Sequence, residues 1–520
     1  MASSLFLSRI LGMVRDAVMA AMFGANEFTD AYRLSFQIPD LIFSLVAGGA
    51  LSAAFIPVFS EFLHTGRERD AWKLFSVVVT FMSTVLIVVI VTAMIFAEPL
   101  ARIVAPGKPD ELIPLIAQSS RILLPAQFAF FIGGIMFGTL YSRQRFVAPG
   151  LGPNIYNIGI IFGALVISSF VTPSVFGMSW GALIGAMIGN LLVPLLVMWK
   201  LGSHYRPSLD LKAPGVRKVF LLMAPVVLGL SLPGVYGIIL QFYASYLPVG
   251  FNTNIDYANR LMQAPIAIFG QAMAIAAFPA LAQFFVQNKP EMFREQLTKT
   301  LRTVLYVSIP IAGLMAVFAP EIVRIIYLRG QFTPEDANIV SNCLVIFAIG
   351  IPAWCLHPIL MRAFFARQQS LLPIILGTVS TVFFILIVYF GIQGPTKDLL
   401  SEEHRYLTLP LAVSLSAIIL VVLLVGAMAI KNNALKVGSI LEVLFQSTLA
   451  AVVPIALAAV LVNSVGWFAE SLIGAVLVAG LGSLGAIWIY YGITRWLKMP
   501  ETAYLERAAA KVSRKKDNSE

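Results

Sequence analysis

Charged side chains are scarce in this chain. Asp, Glu, Lys and Arg make up 12% of its 520 residues, against roughly 25% in an ordinary soluble domain. That shortage excludes a globular protein with a hydrated surface all round. Cysteine is nearly absent too. Cys343 and Cys355 lie twelve residues apart in one apolar segment, about 18 Å along a helix, so they cannot bridge each other. The four histidines, His64, His204, His357 and His404, are scattered without metal-ligand spacing. No glycine-rich phosphate loop is present, so ATP hydrolysis by this chain is excluded and no cofactor is expected. No cleavable signal peptide is expected either, since the first apolar stretch holds two arginines and no small-residue cleavage pattern. These absences point away from an enzyme.

What is abundant is apolar surface. Hydrophobic residues reach 59% and mean hydropathy is +0.86, which places the chain among all-α polytopic membrane proteins. Runs of the length needed to span a bilayer, about 20 residues, fall near 4–23, 31–62, 72–97, 113–140, 150–171, 176–199 and 217–245. Seven more fall near 254–284, 300–319, 338–365, 371–392, 406–430, 440–464 and 468–494, giving about fourteen transmembrane helices. With a cytoplasmic N-terminus, the inner loops and tail hold 25 Lys and Arg, the outer loops 6 and the spans 5. Lys and Arg favour the cytoplasmic side, so both termini are expected there. The net charge of +10 is thus a topology signal and does not point to nucleic acid.

An internal repeat organises the spans. FAEPLARIV at 96–104 matches FAPEIVRII at 318–326, and YSRQRFVAP at 141–149 matches FARQQSLLP at 365–373. AAFIPVFSEF at 53–62 matches IAAFPALAQF at 275–284, and the offset stays at 222 to 224 residues. The unit is six spans, an even number, so two parallel-repeat six-helix lobes are expected, related by an axis along the membrane normal. The expected division is a first lobe over 1–205, a second over 206–432, two extra C-terminal helices over 433–496 and a basic cytoplasmic tail over 497–520. Duplications of this kind characterise secondary transporters, which bind substrate at the repeat interface. Prolines within the spans, Pro57 and Pro265 among them, are candidate bends.

Against this background the stretch Ser8–Phe62 stands out, because it carries Arg9, Arg15, Asp16, Asp30, Arg33 and Asp40. Charges at membrane depth are costly and normally face protein or a water-filled cavity. Asp30, Arg33, Gln37, Asp40 and Ser44 recur along one stripe of a helix. Arg9 and Asp16 share a helix face from which Arg15 points away. Asp16, Asp30 and Asp40 each have an arginine close enough in sequence to share a helix or turn. The eighth run supplies a second stripe, Asn252, Asp256, Asn259 and Gln263, with Arg260 four residues after Asp256 and able to pair with it. With Arg121, five arginines stand against four aspartates at depth, which argues against a carrier of organic cations. Asp256 is the second lobe's only deeply placed carboxylate. No dedicated cation site is therefore expected there, and the membrane potential becomes the expected driving force.

SRILGMVRD, FGANEFTDAY, GALSAAFIPVFSEF, NRLMQAP and YLRGQFTPED together resemble the MurJ (MviN) family of lipid II flippases. That family belongs to the multidrug/oligosaccharidyl-lipid/polysaccharide exporter superfamily. The resemblance runs in order from about Ser8 to about Ile430. It implies a multi-pass protein of the bacterial inner membrane that moves the undecaprenyl-pyrophosphate-linked peptidoglycan precursor to the outer leaflet. Its partners would be lipid II, membrane lipids and the cell-wall synthesis machinery. It further implies a central cavity whose arginines meet the pyrophosphate, and a groove on the last two helices for the lipid tail. Carried over by motif, the substrate-binding residues are Arg9, Arg15, Asp30 and Arg260, with Asp16, Arg33, Gln37, Asp40, Asp256 and Asn259 lining the cavity. Arginine suits that task, being a planar, permanently charged fork for phosphate oxygens.

The chain departs from the family pattern in places. Phe43 and Ser44 stand where two basic residues usually follow the turn at Pro39, Gly48 where glutamate is usual, and Gln37 where some members carry lysine. The chain also starts only seven residues before SRILGMVRD, fewer than the resemblance implies. An exporter of another polyprenyl-linked glycan is one alternative. A non-transporting scaffold or transferase of envelope synthesis is the other, for which the outer loop 393–405 offers Asp398, Glu402, Glu403 and His404.

Overall fold

The computed structural model describes residues 2–46, 48–395, 397, 401–430 and 433–503. In chain order its helices are α1 (Ala2–Phe23), α2 (Glu27–Ser35), α3 (Gln37–Val46), α4 (Gly48–His64), α5 (Glu68–Ile95), α6 (Ala97–Val104) and α7 (Leu112–Ser142). They continue as α8 (Val147–Leu165), α9 (Phe176–Ala186), α10 (Val193–Lys200), α11 (Val216–Ala244), α12 (Phe251–Pro265), α13 (Ala272–Val286) and α14 (Pro290–Val317). The last are α15 (Ala319–Ile326), α16 (Pro334–Ala366), α17 (Leu371–Ile392), α18 (Thr408–Ile430), α19 (Val437–Ala469) and α20 (Leu472–Trp496). π-Helical turns at Met187–Leu192 and Ile266–Gln271 join α9 to α10 and α12 to α13. All fourteen apolar runs fall on these helices. Among the described residues, eleven helices are long and apolar enough to cross a membrane. The runs at 4–23, 31–62 and 217–245 correspond to α1, to α2 through α4, and to α11. From residue 504 onward the basic tail lies outside the described residues.

The chain divides into two compact units, Met1–Asn254 with Arg329–Thr333, and Ile255–Leu328 with Pro334–Glu520. In the first, α8 and α9 meet along glycines. A Cβ on Gly163 would sit 2.3 Å from the Gly177 carbonyl oxygen, and one on Gly181 would sit 2.3 Å from that of Gly159. Small residues let backbones touch, and such packing holds helices together where lipid removes the usual hydrophobic drive. Phe55, Phe59, Trp72 and Phe75 form an aromatic core between α4 and α5. Val216 and Val219 of α11 join that core, although the sequence places α11 at the head of the second copy. The short segment 329–333 docks on the end of α1, where the Gln331 amide donates to the Ala21 carbonyl at 2.9 Å. Gly330 has φ +61° there, and a Cβ would come within 2.1 Å of that same oxygen. Only glycine meets both demands.

In the second unit α14 packs on α16 and α19, α18 on α16 and α17, and α20 on α19 and α15. Arg302 of α14 ties three parts together. Its Nε donates to Glu501 at 2.6 Å, and its Nη1 donates to Glu442 at 3.1 Å and to the Ser439 carbonyl at 2.9 Å. The Tyr490 hydroxyl donates to the Tyr306 carbonyl at 2.8 Å. An apolar groove of about 840 Å³ is lined by α14, α16, α18 and α19. Of the two extra C-terminal helices, α19 contributes to its lining and α20 does not.

Each of the three matched sequence blocks folds into the same local structure twice. Helices α5 and α14 both run 28 residues and stop at a phenylalanine, Phe96 with φ −92° and ψ 21°, Phe318 with φ −91° and ψ 17°. An eight-residue helix, α6 or α15, follows each. After α7 and α16, Gln144 and Gln368 adopt φ of 56° and 58°. The next amide then returns to the carbonyl five residues back, Arg145 to Leu140 at 2.8 Å and Gln369 to Phe364 at 3.0 Å. After α4 and α13, Arg67 returns to Phe62 and Lys289 to Phe284, both at 2.9 Å.

Candidate functional site

Arg15 and Asp16 are neighbours on α1, and Arg33 lies on α2. Asp16 is 3% exposed. Its Oδ1 accepts from Arg15 Nε at 3.1 Å, from Arg15 Nη2 at 3.0 Å and from Arg33 Nη2 at 3.4 Å. Helical spacing points Arg15 away from the Asp16 face, yet the long side chain folds back, because a carboxylate at this depth needs a counter-charge. Arg15 Nη1 donates to Asn157 Oδ1 at 3.0 Å, and Asn157 in turn donates to the Pro153 carbonyl at 3.0 Å and the Ser8 carbonyl at 3.2 Å. Two guanidinium groups thus share this one carboxylate. Arg15 keeps 14% of its side chain exposed. Arg9 is exposed outright, so the face it nominally shares with Asp16 changes surroundings along α1.

Asp30 is fully buried. Its Oδ2 accepts from Lys108 Nζ and from the Gly250 amide, both at 2.8 Å, and its Oδ1 accepts from the Thr253 amide at 2.9 Å and the Thr253 hydroxyl at 2.8 Å. The carboxylate therefore caps the first turn of α12 from outside the helix, satisfying amides that have no partner within it. Lys108, in the loop between α6 and α7, is itself buried, while Pro109, Asp110 and Glu111 beside it are exposed. Asp30 takes this distant lysine as its partner, and Arg33, on the same helix, turns to Asp16 instead.

The stripe that begins at Asp30 is not uniform. Asp30, Arg33 and Gln37 are buried, whereas Asp40 is exposed. The Phe36 amide donates to the Arg33 carbonyl at 3.4 Å, marking the turn between α2 and α3. Around α2 a chain of hydroxyls runs from Ser35 to Ser119 at 2.9 Å and on to Ser179 at 2.7 Å.

In the second unit the spacing-based pair is present: Arg260 Nε donates to Asp256 Oδ2 at 2.8 Å. The pair is looser than the first unit's, with the Arg260 side chain 36% exposed. Asn259 beside it is half-buried and Gln263 exposed.

A family model described as "Lipid II flippase MurJ" matches residues 19–477. The chain belongs to the MurJ family of lipid II flippases. The probable lipid II flippase MurJ of Buchnera aphidicola subsp. Acyrthosiphon pisum is 30% identical over 369 residues, 71% of this chain and 72% of that protein. The lipid II flippase MurJ of Burkholderia cenocepacia is 28% identical over 375 residues, 71% of this chain and 72% of that one. Among solved structures, a lipid II flippase MurJ in an inward closed conformation aligns with a TM-score of 0.76 at 22% identity, covering 94% of this chain and 98% of that one. An inward-facing MATE transporter of the MOP superfamily aligns at 0.64 and 16%, over 81% and 94% of the two chains. The shared fold is therefore that of MurJ and its MATE relatives.

The match to the MurJ model begins downstream of Arg9, Arg15 and Asp16, so the placement of those residues rests on the geometry above. Sequence reasoning missed Asn157 and Lys108. Asn154 and Asn157, two amides in the apolar run GPNIYNIG, were the available signal for the first. Nothing local marks Lys108.

Proposed function

We propose that this chain is a transporter that carries lipid II from the inner to the outer leaflet of the bacterial cytoplasmic membrane by alternating access, with both termini in the cytoplasm. The observation that carries the proposal is the Arg15–Asp16–Arg33 cluster, two guanidinium groups gathered on one buried carboxylate. A pyrophosphate suits such a cluster, because paired guanidinium forks match its oxygens. Asp16 holds the two forks side by side. Arg9 and Arg260 add cations along the route, with Gln37, Asp40, Asp256 and Asn259 as polar lining. Asp30, its oxygens all engaged, acts on the substrate only by fixing the start of α12. The cell-wall synthesis machinery is the neighbour expected to take up the product.

The charge split of 25 to 6 across the loops supports the orientation. Cysteines placed at Asp110, Gln331 and Lys397 should label from outside, and those at Arg69 and Lys289 should not. Outside labelling at Lys289 would reverse the topology. For the activity itself, the gene should restore growth and outer-leaflet lipid II in a bacterium depleted of its own flippase. A folded, inserted protein that leaves lipid II on the inner leaflet while moving another polyprenyl-linked glycan would replace lipid II as the substrate.

A further inference from the structure

The first unit holds a pocket of about 220 Å³. Phe36, Phe43, Phe130 and Tyr156 form its walls, and Asp40 and Gln127 supply polar edges. The rings are held in place by aromatic contacts. Tyr32 meets Phe36 edge-on at 5.1 Å, Phe130 meets Tyr156 at 5.3 Å, and Phe43 rests on Phe131 at 5.4 Å. Gln127 is 6% exposed, and its Oε1 has no hydrogen-bond partner among the described residues. A buried amide oxygen without a donor is destabilising unless a ligand brings one. Two of its residues are close chain neighbours of the charged cluster. Phe36 follows Arg33 by three residues, and Tyr156 adjoins the Asn157 that holds Arg15.

We infer that this pocket receives a sugar ring of the lipid-linked precursor, the ring joined directly to the pyrophosphate. The inference rests on the lipid II proposal and deepens it. A pyranose has an apolar C–H face and a rim of hydroxyls. Aromatic walls suit the face, the Asp40 carboxylate accepts from the rim, and Gln127 Oε1 gains its missing donor. A polyprenyl tail offers no donor for Gln127, and a peptide stem lacks the flat apolar face. The volume is below the roughly 300–1,000 Å³ of sites that enclose drug-sized ligands, so it holds one ring and not the whole head group. Phe43 thereby gains a purpose: an aromatic residue where relatives in the family are expected to be basic exchanges a charge contact for a stacking surface.

The test compares binding of lipid II and of undecaprenyl pyrophosphate, which has no sugar, to the purified full chain. Phe43→Ala and Gln127→Leu should each weaken lipid II about three- to tenfold, the scale of one aromatic or hydrogen-bonded contact, and leave undecaprenyl pyrophosphate unchanged. Arg15→Ala should weaken both. Gln127→Leu should also raise the Tm of the lipid-free protein, because it removes the partnerless oxygen. Equal losses for the two lipids, no loss for either, or a lowered Tm in Gln127→Leu overturns the sugar pocket and leaves the flippase standing. An unaltered protein that binds neither lipid overturns both.

Discussion

The two six-helix copies share a skeleton and differ in what it carries. Both stop a long helix at a phenylalanine and both turn through a left-handed glutamine after the next long span. The first copy buries the Arg15–Asp16–Arg33 cluster and the Asp30–Lys108 pair, whereas the second carries the looser Asp256–Arg260 pair, Arg302 bound to Glu442 of the C-terminal helices and to Glu501 beyond them, and a wide apolar groove. Backbone turns recur because every peptide group in lipid must find its partner within the protein. The polar cargo of the spans is under no such rule, so it has diverged while the turns have not.

That contrast can be broken by experiment. The largest effect is expected at Arg15. Arg15→Ala should abolish complementation while the protein remains folded, since Arg33 still faces Asp16; near-normal growth would demote the cluster to a structural role. Next comes the driving force. With Asp256 engaged by Arg260 in the second copy, collapsing the membrane potential at constant sodium and pH should halt flipping, each charge moved being worth about 2.3 kcal/mol per 100 mV. Transport that follows a sodium gradient at zero potential would instead require a cation site.

Stability separates the halves further. Lys108→Met strands Asp30 as a buried, unpaired carboxylate and should cost about 3–5 kcal/mol, read as a lowered Tm in detergent. Adding Asp30→Asn should recover much of that loss. Asp256→Asn is the smallest change. The pair is partly exposed and lies four residues apart on one helix, so its loss should cost less than about 1 kcal/mol. A drop as large as that of Lys108→Met would erase the distinction between the halves.

Much of this was legible in the sequence, and the exceptions share a cause. The spans, the repeat and the Asp256–Arg260 pair all follow from spacing along one chain segment, which a helix converts directly into distance. The partner of Asp30 does not, because Lys108 is 78 residues away in a loop whose descent into the protein leaves no local mark. Asn157 reaches Arg15 across 142 residues for the same reason. The Arg15–Asp16 bond escaped for a different one. Face assignments treat side chains as short pegs, and an arginine is long enough to reach around the helix to its neighbour. The aromatic pocket required α3, α7 and α8 to be brought together before Gln127 had any meaning.

The glycine seam between α8 and α9 has a consequence in population genetics. Every single-base change that replaces a glycine introduces either a side chain or a stop. At Gly159, Gly163, Gly177 and Gly181 the first added carbon would already collide with backbone atoms 2.3–2.6 Å away, which no rotamer change relieves. These codons have no viable amino-acid replacement one step away, whereas the leucines and valines of the apolar groove are surrounded by tolerable ones. Natural variants should therefore accumulate along the groove and be depleted at the seam.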